Sequence, residues 1–591
     1  MDDDLSRGSA ARSDAGARRR RRWVPWVVVG VIVVVVIWSA LAAFKLLDAR
    51  RHAQRGLDQL ELTRDTLGPA DLIRGKGLPN MRAAQAEFQR ASDSAGSPLL
   101  APFKVLPFVG RQVRSVDALA SSASKVSGIG VETMDQSSHE LNRPSTTGVQ
   151  RVVLTDRLGA IARGARDQLR SVDLGPGSAL IGPLQDAHDK FATQLGRLRT
   201  AMADADDAAT GLGAMLRGPS RYLVLAANNG EMRAGSGMLL SAGVLELQNG
   251  RFQLGPMTDT ALLMLPPGAV PMSGDLAARW GFANPNQEWR NLALTPQFPA
   301  TAELASRMWK ARTGQSVDGV IAIDPAALQG LIAASGPVNV NGTTITKDNV
   351  ISQILLTQYL TGDPGSDQRH TLESDIARAV VAQLEAKGWD TANLVDDLRD
   401  AANGRHVLAW SSKPLQQRAW TAAGLSGLLP NDGLLVALNN TSGNKLDQFM
   451  HVRGSVAHQP VAGGSRVTVT VDVSNDAPQG VLPRIIIGPF SPDFQPGEYQ
   501  GILAIDIPQV ARDIRYDSGG PLVASGPDYT TRVSAIPIDL QRGARHRYVL
   551  RFTVPNGYFH TQVEPSARIP GIAWTAGGAR WQDDVAHPLS W

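Results

Sequence analysis

Cysteine is absent from this chain of 591 residues. Without cysteine the protein has neither a disulfide framework nor a thiolate site, so its stability depends on packing. A chain of this length exceeds what one hydrophobic core supports. We therefore expect two or three domains after the N-terminal region.

Several catalytic motifs are missing as well. The chain contains no H-E-x-x-H and no pair of histidines at metal-ligand spacing, which argues against a zinc hydrolase. It also lacks G-x-x-x-x-G-K-[ST] and G-x-S-x-G, the motifs of nucleotide hydrolysis and of common serine hydrolases. Ser122-Ala123-Ser124-Lys125 matches S-x-x-K, but its companions S-D-N and K-T-G are absent. Such a short pattern arises often by chance, so we assign it no role.

The N terminus combines a run of positive charge with a run of apolar residues. Residues 18–22 are five consecutive arginines, and residues 23–44 carry no charge. A helix of that length spans roughly 33 Å, enough to cross a bilayer. We therefore predict a basic cytoplasmic tail at 1–22 and a transmembrane helix at 23–44, with the bulk of the chain outside the plasma membrane. The alternative is a cleaved signal peptide, because Ala40-Leu41-Ala42 fits a cleavage site.

Charge in the remainder of the chain is balanced. Ten of the 59 basic residues but only five of the 55 acidic residues lie within the first 51 positions. The outer part therefore has no basic excess, and we expect no nucleic-acid partner.

The remaining sequence changes texture twice. Residues 45–217 repeat apolar positions three, four and seven apart, which predicts a helical bundle or stalk. Residues 218–450 alternate strands and helices, which predicts an α/β domain. Residues 451–591 alternate apolar and polar positions between recurrent turns, which predicts an antiparallel β-sandwich. The predicted fold is thus a transmembrane helix, a helical region, an α/β domain and a β-sandwich.

Local signals support the predicted α/β domain. Asn249-Gly250 between two apolar runs predicts a hairpin. Val320–Ile323 predicts a buried strand, after which Asp324 can cap the next helix. Further helices are expected at 347–360, 367–387 and 391–402, and further strands at 405–410 and 434–439.

One stretch interrupts the apolar pattern with polar side chains and glycines. Within "YLVLAANNGEMRAGSGMLLSAG", residues 222–243, two apolar runs flank Asn228, Asn229, Glu231, Arg233, Gly235 and Gly237. Amides, a guanidinium and bare backbone at a strand end suit recognition of an anion. The alternative is a structural loop with Asx turns and a local ion pair.

Several spaced motifs resemble one bacterial family. The stretch above, together with "QNGRF", "PQFPATAELASRMW", "DGVIAIDPAALQGLIAASGPV" and "NNTSGNKLDQFM", resembles the membrane-anchored family known as domain of unknown function 4012. The resemblance covers most of residues 180–591. It implies a membrane anchor, a helical region, an α/β domain and a closing β-region.

More distantly, the α/β part resembles the LytR-CpsA-Psr proteins, which transfer glycopolymers from a polyprenyl diphosphate lipid to the cell wall. That resemblance implies arginines on the diphosphate and an acidic residue on Mg²⁺. By position, Arg233, Arg290 and Arg369 would be the catalytic arginines, and Asp259 with Glu231 would hold the metal.

The remaining positions of that resemblance are recognition groups and departures. Asn228, Asn229, Gly235, Gly237 and Asn291 would contact the ligand. Two departures weaken the pattern: Asn228 and Asn229 stand in an acidic region, and Thr258 replaces an arginine.

Three functions follow as hypotheses. The first is a cell-envelope phosphotransferase acting on polyprenyl-diphosphate-linked glycopolymers. The second is a non-catalytic scaffold or glycan-binding protein whose α/β domain has lost its chemistry, which the departures favour. The third is a glycosidase, which would require Glu231 or Asp259 to face another carboxylate across a groove.

Overall fold

A computed structural model describes residues 24–67, 71, 73–143, 148–361, 368–387, 389, 391–480, 482–517, 520–558 and 560–590. These residues form two compact units. The first contains Lys76–Asp135, Ala165–Thr200 and the described residues up to Leu67. The second contains Gln136–Gly164 and, from Ala201 on, the rest of the described chain.

The region predicted to be helical contains long helices. They are Val24–Thr66, Leu78–Ala95, Pro107–Leu141, Gly148–Arg170 and Gly182–Arg217, with a 3₁₀ helix at Pro98–Val105. Three of them continue from one unit into the other, so the units do not divide at the predicted boundary, residue 217.

The prediction of a transmembrane helix at 23–44, and with it the single-pass membrane localisation, is wrong. Within the part of the chain that the structure describes, no helix combines the length and the apolar character that a membrane crossing requires. The helix at this position extends to Thr66 and carries charged residues beyond Phe44. Trp38 Nε1 donates a hydrogen bond to Leu99 O at 2.7 Å, and Ala42 is buried in an apolar cluster of the same unit. The predicted tail, residues 1–22, lies outside the described residues.

The second unit contains a mixed sheet and a small hairpin. Its strands are β1 Ser220–Asn228, β2 Met238–Gln248, β3 Arg251–Leu254, β4 Thr258–Asp259, β5 Gly319–Ile323, β6 Val338–Val340, β7 Thr343–Ile345 and β8 Val407–Ser411. The sheet order is β3-β2-β1-β5-β8, with β4 paired to β2. Only the β1–β5 pair is parallel among these described strands.

The residues within two connections, the β2–β3 turn and the link from β5 to the next helix, explain the local structure there. Asn249 and Gly250 have φ of 52° and 74°, as the two-residue turn between β2 and β3 requires. After β5, Asp324 Oδ1 accepts hydrogen bonds from the N–H groups of Ala326 and Ala327, which caps the helix Pro325–Ser335.

Helices cover both faces of this sheet. Alternate residues of β1 point to opposite faces, so the strand contributes side chains to a separate core on each face. Leu223 and Leu225 pack in a core with the helix Phe298–Thr313. Val224 packs in a second core with residues of the helices Pro325–Ser335 and Gln368–Lys387. The other helical segments are Thr260–Leu263, Gly274–Trp280, Gly281–Ala283, Trp289–Leu294, Val350–Ser352, Gln353–Thr357, Gln358–Thr361, Thr391–Asn403 and Pro414–Ala422.

Two further sheets pack face to face in the C-terminal part. Their strands are β9 Gly433–Asn440, β10 Met450–Val461, β11 Gly464–Asn475, β12 Tyr499–Pro508, β13 Arg512–Tyr516, β14 Ala524–Asp528, β15 Thr531–Leu540, β16 Arg545–Pro555, β17 His560–Val563, β18 Ala573–Ala576, β19 Ala579–Gln582 and β20 His587–Ser590. Their orders are β13-β16-β11-β10-β18-β19 and β14-β15-β12-β9-β17-β20. Strand β9 lies within the predicted α/β domain but pairs with β12 and β17, so it belongs to the sandwich.

Candidate functional site

The polar stretch after β1 forms a closed loop held by a second segment. Met238 N–H donates to Glu231 O at 2.9 Å, which closes the loop between β1 and β2. The Asp447 carboxylate accepts hydrogen bonds from Met232 N–H at 2.9 Å and from Asn440 Nδ2 at 2.8 Å. Its ion pair with Arg568 is fully buried. The loop is therefore anchored to residues 440–447, the segment that follows β9.

A cavity of about 470 Å³ lies against this loop. That volume is within the usual range of small-molecule sites. The cavity is lined by five residues predicted for the site, namely Glu231, Arg233, Asp259, Arg290 and Asn291. Glu288, Tyr359, Glu373 and Lys445 also line it, as do Ser241, Thr441 and Phe490.

Arg233 is a buried cation that forms part of the cavity wall. Its side chain is held by the carbonyl oxygens of Met232, at 2.9 Å, and of Asn440. Its Nη2 lies 3.5 Å from Asn291 Oδ1. Burial lowers the pKa of Arg233, although an arginine stays protonated in proteins. No carboxylate among the described residues forms an ion pair with it, so its charge is balanced only at a distance.

Arg290 is arranged differently, because a carboxylate neighbours it. Its Nε donates to Glu288 Oε1 at 2.9 Å and its Nη2 to Glu288 Oε2 at 2.5 Å. This hydrogen bonding raises the pKa of Arg290. Burial opposes ionisation of Glu288, but the hydrogen bonds from Arg290 outweigh burial and lower the pKa of that carboxyl. Arg290 is thus a partly exposed, charge-neutralised rim residue.

A second ion pair lies deeper. Lys445 Nζ is 2.5 Å from Glu231 Oε1, and the two side chains are 3% and 9% exposed. The ammonium also lies 5.0 Å from the centre of the Tyr359 ring. Burial alone would lower the pKa of Lys445, but Glu231 and Tyr359 outweigh burial and raise it. The Lys445 ammonium therefore remains charged at neutral pH.

Glu373 is a third carboxyl group on the cavity wall. It is buried, and burial raises its pKa to about 8. Its Oε2 accepts a long hydrogen bond from Asn228 Nδ2, at 3.5 Å. Glu373 is thus mostly neutral at pH 7, unlike Glu288, whose pKa is lowered.

The predicted ligand contacts Asn228, Asn229, Gly235 and Gly237 lie beside the cavity rather than on its described lining. Both asparagines are fully buried, and Asn229 Nδ2 donates to Asp324 Oδ2 at 2.9 Å and to Ala567 O at 2.8 Å. Gly235 N–H donates to Ala293 O, and Gly237 N–H donates to Arg233 O. These bonds shape the loop.

The residues predicted to hold magnesium do not fit that ion. Asp259 Oδ1 accepts from Ala261 N–H at 2.8 Å and caps a 3₁₀ turn, while Glu231 is paired with the Lys445 ammonium. Mg²⁺ requires several oxygen ligands in near-octahedral geometry. Within the described chain, no three His, Asp or Glu side chains are grouped to hold a metal.

The third predicted arginine is placed only by its backbone. Arg369 is the second residue of the helix Gln368–Lys387. Its side chain lies outside the described residues, so the predicted convergence of three arginines is seen for Arg233 and Arg290 alone.

Sequence reasoning missed Lys445, Glu373, Tyr359 and Glu288. Signals existed for three of them: Lys445 lies in the quoted motif "NNTSGNKLDQFM", Glu373 follows Arg369 in the same helix, and Glu288 precedes Arg290 by two positions. Each signal indicates only a region of the sequence. It does not indicate which side chains meet, because partners such as Lys445 and Glu231 are 214 positions apart.

Residues 217–359 match the family model described as Protein of unknown function (DUF4012). The resemblance to that family is confirmed over this segment, which contains the β1–β2 loop, Asp259 and Arg290. Neither the curated proteins nor the solved structures contain a match to this chain. The similarity to LytR-CpsA-Psr proteins stays a prediction.

Proposed function

We propose that this protein binds a phosphate-bearing saccharide in the cavity. The phosphate would lie against Arg233, and the sugar hydroxyls against the surrounding carboxyl, amide and hydroxyl groups. The observation that carries the proposal is Arg233, a buried guanidinium on a cavity wall without a carboxylate ion pair in the described structure.

A buried charge without a counter-ion is costly, and proteins pair such groups or use them to bind a ligand. Glu231 and Glu288 already pair with Lys445 and Arg290. An anionic ligand would neutralise Arg233 without breaking either ion pair. Guanidinium groups pair well with phosphate oxygens.

The rest of the wall supports a sugar attached to that phosphate. Ser241, Asn291 and Thr441 supply hydroxyl and amide groups. Phe490 lines the same cavity and is 46% exposed, so its ring can cover an apolar sugar face.

If the predicted similarity of the α/β part to LytR-CpsA-Psr proteins holds, the natural ligand would be a saccharide linked to polyprenyl diphosphate. We favour binding, the alternative that the sequence left open, over phosphotransfer, which was the first hypothesis. Phosphoryl transfer requires neutralisation of developing charge, usually with a metal that bridges the phosphates. Glu231 and Asp259 are not arranged for one, so recognition is the better-supported role.

Calorimetric titration of the full-length protein with glucose 1-phosphate, glucose and inorganic phosphate tests the proposal. We expect saturable binding of glucose 1-phosphate that exceeds binding of either part. A charge-assisted hydrogen bond contributes about 1.5–3 kcal/mol, so Arg233→Gln should weaken binding roughly 10- to 150-fold. Arg221→Gln is the matched control, because Arg221 lies on β1, the strand that leads into the loop containing Arg233, and is exposed.

Thermal melting of each variant separates a lost contact from a lost fold. If Arg233→Gln melts early, Arg233→Lys keeps the charge and should bind at an intermediate level. Equal binding of glucose and glucose 1-phosphate, or wild-type affinity in both folded Arg233 variants, would refute the phosphate site. Farnesyl diphosphate tests the lipid-linked form, and phosphate release from it would favour the transferase instead.

A further inference from the structure

Glu373 is a cavity-lining acid that the proposed function leaves without a role. It is 7% exposed and lies on the helix Gln368–Lys387. We propose that Glu373 contacts the ligand as a neutral carboxyl and donates an O–H hydrogen bond from Oε1 to an anionic phosphate oxygen. This inference rests on the function proposed above, and it specifies which protein group donates a hydrogen bond to the phosphate oxygen of the ligand.

The neighbouring amide determines which oxygen of Glu373 is the acceptor. Asn228 Oδ1 accepts a hydrogen bond from Gly230 N–H at 2.9 Å. A backbone N–H can only donate, so this contact assigns the Asn228 oxygen to the Gly230 side. Asn228 Nδ2 therefore faces Glu373 Oε2, at 3.5 Å, and Oε2 acts as the carbonyl-type acceptor.

The other oxygen, Oε1, then carries the proton. Glu373 Oε1 is buried and makes no hydrogen bond within the described chain. The adjacent Ser374 donates to Ser241 Oγ at 2.8 Å, which ties this turn of the helix to β2. Because an unsatisfied buried polar group destabilises the fold, a ligand that accepts a hydrogen bond from Oε1 would relieve that cost.

The surrounding charges agree with a neutral Glu373. The charged groups that face it are Lys445, Glu231 and Asp324, and Lys445 is already engaged by Glu231. Burial is the largest influence and raises the pKa of Glu373 to about 8. An ionised carboxylate at this position would repel a phosphate oxygen, whereas the neutral form donates to it.

The consequence is proton-linked binding. Affinity for glucose 1-phosphate should be constant below the pKa of Glu373 and should fall about tenfold per pH unit above it. The ligand itself does not titrate in this range, since the second pKa of a phosphate monoester is about 6. The slope therefore reports the protein group.

Three variants test the assignment by calorimetric titration of the full-length protein from about one pH unit below to one unit above that pKa. Glu373→Gln keeps a donor and cannot ionise, so it should bind across the whole range without the alkaline loss. Glu373→Ala should bind weakly at every pH. Asp375→Asn, on the same helix but outside the cavity lining, should reproduce the wild-type profile.

The outcomes separate this inference from the proposed function. Wild-type binding with an alkaline loss that Glu373→Gln removes would support both. If wild type binds but Glu373→Gln shows the same alkaline loss, or wild type shows none, the Glu373 assignment is overturned and the proposed function stands. No binding by wild type would overturn both. Infrared difference spectra give a readout without ligand: a protonated-carboxyl band at pH 7 that Glu373→Gln lacks supports the assignment, and its absence in wild type refutes it.

Discussion

Replacing Lys445 with methionine should strongly destabilise the domain that contains the cavity. The substitution removes the ammonium that lies 2.5 Å from Glu231 Oε1, in a pair whose side chains are 3% and 9% exposed. Glu231 then remains as a buried carboxylate without its partner. Breaking a buried ion pair from one side costs about 3–5 kcal/mol, mainly through the charge that is left behind.

The double variant distinguishes this reasoning from a simple loss of packing. When Glu231→Gln accompanies Lys445→Met, no charge of the pair remains, and the loss should be smaller than the sum of the two single losses. Groups in one ion pair show coupling energies of about 0.5–3 kcal/mol, and we expect the upper part of that range. The charged pair persists at neutral pH because the pKa of Lys445 is raised, so its stabilisation is lost only as the pH rises above the ordinary lysine range.

The assay is chemical unfolding of the four proteins at pH 7, combined with hydrogen exchange of amides in β1 and β2. Exchange is needed because a chain with several domains need not unfold in one step. Lys413→Met is the control, since Lys413 forms an exposed ion pair with Asp318 and should lose about 1 kcal/mol or less. Additive losses in the double variant, or a Lys445→Met loss no larger than that of Lys413→Met, would refute the argument.

Two further predictions concern the fold around the site. Gly237 has a φ of 108°, and an added Cβ would lie 2.8 Å from Asn228 O, so Gly237→Ala should lower the unfolding midpoint; Gly274→Ala, with φ 67° and no heavy atom within 4 Å, should lower it less. Equal losses would contradict the role of close approach. Burial raises the pKa of Asp583 from 3.8 to about 6, so this group favours folding least above pH 6, and its contribution should fall by about 2 kcal/mol between pH 4 and pH 6. The free energy of unfolding of wild type minus that of Asp583→Asn should therefore fall by about 2 kcal/mol from pH 4 to pH 6, and a difference that stays constant would refute it.

Much of the local structure was predictable from the sequence. The hairpin at Asn249-Gly250 and the cap at Asp324 depend on the backbone preferences of a few adjacent residues. The expected helix at 367–387 is observed as Gln368–Lys387. Such features need no information from distant parts of the chain.

The N terminus shows where composition misleads. A run of uncharged residues at 23–44 predicted a membrane helix, yet the helix continues to Thr66 and Trp38 and Ala42 contact residues of the same unit. Apolar composition states only that a surface avoids water. It does not indicate whether lipid or another part of the protein covers that surface.

At the candidate site, too, the sequence determined some features and the tertiary structure decided others. The sequence by itself determined that Asn228, Glu231 and Arg233 follow a buried strand, and hence that polar groups gather at the end of β1. Only the tertiary structure decided that Lys445 neutralises Glu231, that Asn228 faces Glu373, and that Arg233 keeps an unpaired charge in the described structure. The physical reason is that a charge or hydrogen bond acts over a few ångströms, and the folding of distant segments sets which groups come that close.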